Sequence, residues 1–247
     1  MPFIANLNIS RDDFPKFLSC PLIIWLPEYA ANKIMNDAHD FFSVRSSIFY
    51  FETDPQLLNK QISQSTSVGY SEIQALHVEE RQQRLANLEE MLAEYESLPK
   101  NKRDYETERQ LKSKLAYIYF VSADYNKAEK FLKELLETEK DKESYDYAVR
   151  LNDLANVYNS QGKYEEAIEL FKEALLIDEK TIGKEHPDYA TRLNNLANVY
   201  GSQGKYQEAL DLYEQALKID EKTLPENHPF TQQYRENIAS CRMMLGK

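Results

Sequence analysis

The chain has 247 residues, a net charge of −11 and a sequence pI of about 5.0; that length holds one or two domains. An acidic surface repels phosphate backbones, which argues against a nucleic-acid partner, and no run of about 20 apolar residues is present to span a membrane. Cys20 and Cys241 lie at opposite ends of the chain and suit free thiols in a reducing cytoplasm better than a disulfide framework.

The first residues, MPFIANLNISRDD, lack the basic stretch and apolar core of a signal peptide. Leu22–Leu26 is a short apolar run between Pro21 and Pro27, and Ser47–Phe51 is a second, rich in β-formers. Between them Tyr29, Ile34, Met35, Ala38, Phe41 and Phe42 have helical spacing. Strand, helix and strand make one βαβ unit with parallel pairing, so residues 1–52 are expected to be a small α/β segment. One helix cannot cover both faces of two continuous apolar strands, and the segment reads as the last piece of a larger domain.

Residues 53–69 are polar and end in a Ser/Thr-rich stretch, and are expected to be a linker. Over residues 70–98, Ile73, Leu76, Leu85, Leu88, Met91, Leu92 and Tyr95 form a helical pattern. The heptads are short and irregular. This favours an N-terminal capping helix packed on a repeat over a dimeric coiled coil. Pro99 breaks the pattern.

The remainder is repetitive. LANVYNSQGKYEEA, from Leu154 to Ala167, returns as LANVYGSQGKYQEA from Leu196 to Ala209, 42 residues on. Such self-similarity marks a repeat architecture. Leu151, Leu154, Ala155 and Tyr158 share one helix face, and so do Tyr164, Ala167, Ile168, Phe171, Ala174 and Leu175. Gly162 between them ends the first helix, since glycine takes positive φ without a steric penalty. The unit is helix, tight turn, helix, and Ala155, Ala167 and Ala174 let the two helices approach closely. Neither helix buries its stripe alone, so units must stack.

Repeats are expected over 144–185 and 186–227. A degenerate one covers 104–143, where Leu115, Ala116, Tyr119, Tyr125 and Ala128 match at an offset of 39 and Ala123 replaces the turn glycine. Residues 228–247 hold a lone first helix, expected as a C-terminal cap.

The unit resembles the tetratricopeptide repeat through Leu154, Ala155, Tyr158, Gly162, Tyr164, Ala167, Phe171 and Ala174, and again through Leu196, Ala197, Tyr200, Gly204, Tyr206, Ala209, Tyr213 and Ala216. The family's usual period is about 34 residues. The surplus here, DEKTIGKEHPDYA from Asp178 and DEKTLPENHPFTQ from Asp220, is similar to that of kinesin light chains and many bacterial repeat proteins. The resemblance covers the chain from about Arg103 onward. It implies a mostly α fold, a tetratricopeptide-repeat α-solenoid preceded by the incomplete βαβ segment. NLNISRDDF, CPLIIWLPEYA and DFFSVRSSIFYFE resemble the end of the α/β segment that precedes repeats in bacterial STAND-type NTPases. That likeness implies an alternative role as the sensor arm of such a system. No GxxxxGK[ST] phosphate loop is present, so nucleotide binding is not implied.

No constellation argues for catalysis, a cofactor or a metal. His186 and His228 stand in matched His-Pro pairs between repeats, a place where one helix ends and the next begins. Glu165, Glu166, Glu169 and Glu173 fall on a solvated helix face. The asparagines stand out. Asn152, Asn156 and Asn159 share a first-helix face distinct from the Leu154/Tyr158 stripe, and Asn194 and Asn198 repeat the first two. Asparagine is a mediocre helix former, so a row of it needs a reason. In the tetratricopeptide family this face lines the concave groove, and the resemblance implies that these amides hold the backbone of a bound peptide, with Arg150 or Arg192 nearby. An inter-repeat hydrogen-bond ladder is the competing reading. The family's two-carboxylate clamp needs lysine where Asn152 stands, so a chain end of that kind is not expected. The expected function is a non-enzymatic, cytoplasmic scaffold that binds a partner's peptide or helix. No oligomeric state follows from the sequence.

Overall fold

The computed structural model describes residues 54–225 and 228–246. The expected βαβ segment, with Cys20, lies outside them. Among the described residues every regular element is helical. The helices are α1 (Pro55–Thr66), α2 (Tyr70–Ala75), α3 (Val78–Ser97), α4 (Tyr105–Val121), α5 (Tyr125–Thr138), α6 (Tyr145–Ser160), α7 (Tyr164–Thr181), α8 (Pro187–Ser202), α9 (Tyr206–Thr223) and α10 (Pro229–Met244).

The chain divides into two compact units. The described part of the first comprises 54–67 with Ala86–Glu108. There the expected linker is a helix instead. Asp54 accepts a hydrogen bond from the Gln56 backbone amide and caps α1, whose Pro55 opens the first turn. Leu58 and Ile62, four apart, bury one stripe, which is enough to order a segment whose remaining residues are polar. The Tyr95 hydroxyl donates to the Asp104 carbonyl at 2.7 Å, and Arg103 Nε donates to the Leu98 carbonyl at 2.8 Å. These bonds close the turn after Pro99.

The second unit comprises Val68–Leu85 and Arg109–Lys247. The expected helix over 70–98 is broken at Leu76, which is extended (φ −64°, ψ 145°). The Glu80 carboxylate accepts from the His77 amide at 3.1 Å and starts α3. From α5 onward each helix packs on the next, and α6 also meets α8.

The turn between paired helices is the same three times. The amides of Asp124, Lys163 and Lys205 each reach back to the carbonyl of Tyr119, Tyr158 or Tyr200 at 2.9 Å. The geometry requires positive φ at Ala123 (60°), Gly162 (77°) and Gly204 (75°). Alanine at the first of these carries the strain that glycine avoids. Ala155, Ala167, Ala174, Ala197, Ala209 and Ala216 are fully buried, because a larger side chain would hold the paired helices apart. Phe171, Tyr189, Leu193, Leu196 and Tyr234 fill the space between repeats. Histidine caps the next first helix: Nδ1 of His186 accepts from the Asp188 amide at 3.1 Å, and Nδ1 of His228 from the Phe230 amide at 3.3 Å.

Candidate functional site

The first helices are α4, α6, α8 and α10, and the asparagines lie on α6, α8 and α10. There the amides of neighbouring repeats are joined. Asn237 Nδ2 donates to Asn194 Oδ1 at 3.2 Å, Asn194 Nδ2 to Asn195 Oδ1 at 3.4 Å, and Asn195 Nδ2 to Asn152 Oδ1 at 3.0 Å. Asn152 Nδ2 then donates to Asp153 Oδ1 at 3.3 Å. Every bond points the same way, from α10 through α8 to a carboxylate on α6. An amide has both a donor and an acceptor, which is why asparagine suits each rung. Asn152 and Asn194 therefore tie repeat to repeat.

The remaining asparagines divide. Asn198 Oδ1 accepts from the Tyr213 hydroxyl at 2.6 Å, joining α8 to its own second helix. Asn159 Oδ1 is shielded from solvent without a partner. The half-buried side chain of Asn156 has no hydrogen-bond partner among the described residues. Asp153 is open to solvent on this face. Protein flanking its carboxyl raises the pKa, against the opposing pull of the Asn152 amide and of Arg150 and Arg192.

Arg150 and Arg192 are buried, at 8% and 3% exposed. Arg150 Nη1 donates to Ser113 Oγ on α4 at 3.1 Å. Arg192 pairs with the fully buried Asp178 of α7 and lies 5.3 Å from the Tyr145 ring centre of α6. Both guanidinium groups are buried and join helices. Burial pushes the Asp178 carboxyl up to about 6 even with Arg192 beside it.

Asn195, Asn237 and Asp153 complete the ladder and escaped the sequence reading. The signal was present: 153, 195 and 237 are one position per repeat, filled by Asp, Asn and Asn. Asp178 and Asp220 carry a second overlooked signal. Each falls four residues beyond Ala174 or Ala216, on the apolar stripe of its helix. Asp220 is fully buried and neither carboxylate oxygen finds a partner among the described residues. The residue corresponding to Arg192 is the buried Tyr234, which supplies no cation.

A second recurrent contact joins successive repeats away from this face. Gln161 Nε2 donates to Glu129 at 2.9 Å, and Gln203 Nε2 donates to Glu165 at 3.0 Å. Burial would raise the Glu129 carboxyl, but hydrogen bonds from Lys133, Gln161 and Lys163 hold it down at about 2.

Between α9 and α10, a cleft of about 460 Å³ is lined by Glu214, Leu217, Glu221, Arg235, Ile238 and Arg242, among others. Arg235 and Arg242 are paired with Glu221 and Glu214 across it, each at 2.8 Å. Among the described residues no cluster of three metal-binding side chains occurs, and no helix is long and apolar enough to cross a membrane.

Residues 146–222 match the model of the tetratricopeptide repeat family. No curated protein matches the chain. Among solved structures it is similar to the nearly identical TPR-like repeats of a putative kinesin light chain from Podosopora anserina, with 24% identity and a TM-score of 0.61, covering 79% of this chain and 90% of that one. It is also similar to BtubC (BKLC) from P. vanneervenii, with 21% identity and a TM-score of 0.63, covering 88% of this chain and 82% of that one. The described helices and these likenesses agree on one fold. Residues 146–222 match the tetratricopeptide repeat, and the chain has the helical-repeat fold of kinesin-light-chain-like repeat proteins.

Proposed function

We propose that the chain is a non-enzymatic, cytoplasmic interaction scaffold that holds an extended peptide from a partner protein across its first-helix face. The observation that supports this is the pair Asp153 and Asn156. They are neighbours on one turn of α6, on a face otherwise tied into the ladder, and the Asn156 amide is not engaged. An amide can both donate to and accept from a peptide backbone, and extended chains expose both groups at every residue. Asn198, one period later, has its oxygen on Tyr213, and its amide nitrogen is assigned the same task. Asn152 and Asn194 act indirectly, by holding the repeats in register beneath the peptide.

Selection of a displayed random-peptide library on the full chain supplies the probe. Asn156→Ala should weaken the best selected peptide by roughly 2- to 10-fold, the loss of one hydrogen bond. The melt should stay level or rise slightly, since alanine is the better helix former. Undiminished affinity in Asn156→Ala would place the peptide elsewhere.

A further inference from the structure

The first-helix face is already occupied at one end by the chain itself. Lys114 Nζ donates to the Val68 carbonyl at 2.7 Å, and the Tyr117 hydroxyl donates to the Tyr70 carbonyl at 3.2 Å. These carbonyls are two residues apart, and Gly69 between them is extended (φ −64°, ψ 154°). Gly69 leads into α2, whose first residue is Tyr70, so α4 holds one carbonyl just before that helix and one in its first turn. The Tyr70 ring completes the contact: it meets the Tyr117 ring edge-on with centres 4.5 Å apart, and Lys114 Nζ lies 4.2 Å from its centre. Lys114 is only 8% exposed, because Val68–Tyr70 covers it. Tyr70 itself remains 52% exposed.

Position matters here. At the offset of 39, Lys114 and Tyr117 correspond to Asp153 and Asn156. The side chains that hold Val68–Tyr70 therefore stand on α4 where the candidate peptide-holding residues stand on α6. Two donors on one turn take two backbone carbonyls, which is the kind of contact proposed for the partner.

We propose that Val68–Tyr70 is a built-in occupant of this face, displaced when a partner binds over α4. The partner is a segment that offers a carbonyl to Lys114 and, two residues on, an aromatic side chain. The aromatic ring is required because Lys114 is a cation in a covered site, and the ring face supplies the negative electrostatic potential that Tyr70 now provides. Ile73, fully buried three residues after Tyr70, keeps the occupant tethered. A tether of this length holds the segment at an effective concentration of about millimolar, so a free copy competes poorly until the cis contact is weakened. This inference rests on the proposed function for its partner; its contacts stand on their own.

The probe is a fluorescent synthetic peptide of residues 65–74, STSVGYSEIQ, titrated by anisotropy into the full chain. The parent should bind it weakly. Tyr70→Ala, a change at a half-exposed residue, should bind it at least about 10-fold more tightly, since 1.4 kcal/mol of cis contact is tenfold. Adding Lys114→Met, which keeps the stem and removes the donor, should abolish that gain while circular dichroism stays unchanged. If Tyr70→Ala takes the peptide no better than the parent, the displacement is wrong. Should a library-selected peptide still depend on Asn156 in that case, the proposed function survives it. Retention of the gain in Tyr70→Ala with Lys114→Met would also overturn the proposal.

Discussion

Asp178 and Asp220 occupy the same position of successive repeats, and only the first has a cation. Asp220→Asn should therefore stabilise the protein. Once ionised, Asp220 is a fully buried carboxylate with neither oxygen bonded among the described residues. Leaving a buried polar group unsatisfied costs roughly 1–3 kcal/mol, and more for a charged one. For a chain of this size 1 kcal/mol moves Tm by about 2–4 °C, so the variant should melt about 2–10 °C higher at pH 8.

The pH dependence is the sharper test. Burial raises the Asp220 pKa, with His228 opposing. Its folded pKa then lies above the unfolded value, and folding takes up a proton between the two. Stability falls as pH rises through that window. The gap between Asp220→Asn and parent should be smallest towards the unfolded pKa, where folding no longer depends on the charge of Asp220, and complete above the folded pKa. Thermal melts of both proteins from pH 4 to 8 measure it; using the difference cancels other groups, such as Glu129, that titrate with the opposite sign. Arg192→Leu is the companion. It places Asp178 in the condition of Asp220 and should cost about 3–5 kcal/mol. A gap that stays constant with pH, or an Asp220→Asn variant less stable than the parent at pH 8, would refute the reasoning.

Three other outcomes are expected. Ala123→Gly should raise stability by about 1 kcal/mol, because Ala123 is the one non-glycine at positive φ among the described residues; a chemical melt with an unchanged m-value checks it. Ala167→Leu or Ala209→Leu should cost roughly 1–3 kcal/mol by overpacking a fully buried contact between paired helices, and variants that melt with the parent would contradict the close approach. Asn152→Ala with Asn194→Ala should lower Tm by a few degrees, since two inter-repeat bonds of about 0.5–1.5 kcal/mol each are lost against a smaller gain in helix propensity; a raised melt would mean that the ladder contributes nothing.

Features set by neighbours in the chain were legible before the structure. The turn at Gly162, the alanines of the helix contact and the paired stripes depend on contacts within one unit, and the 42-residue repetition shows each of them twice. The degenerate turn at Ala123 was legible by alignment alone, though not its positive φ. The ladder was half legible. Its residues recur every 42 positions, but the bonds span 43, because adjacent repeats meet across a stagger that no single repeat encodes. Arg150 and Arg192 were expected only near the groove, and their burial against Ser113 and Asp178 was not legible, because a guanidinium is ordinarily exposed. The carboxylate on the stripe at Asp178 was the cue to a buried partner. Helix α1 was hidden by having only Leu58 and Ile62 as its buried stripe. The docking of Val68–Tyr70 on Lys114 joins residues more than 40 apart, with no repetition to announce it.

The central claim is that a partner's peptide lies on the first-helix face. Hydrogen–deuterium exchange of the full chain, with and without a saturating library-selected peptide, tests it most directly. The account predicts that Asn156→Ala, which weakens the peptide, also reduces protection at a given peptide concentration, and that protection falls on α6 and α8 around Asp153, Asn156 and Asn198. Protection confined to the second helices α7 and α9, or unaltered by Asn156→Ala, would contradict it.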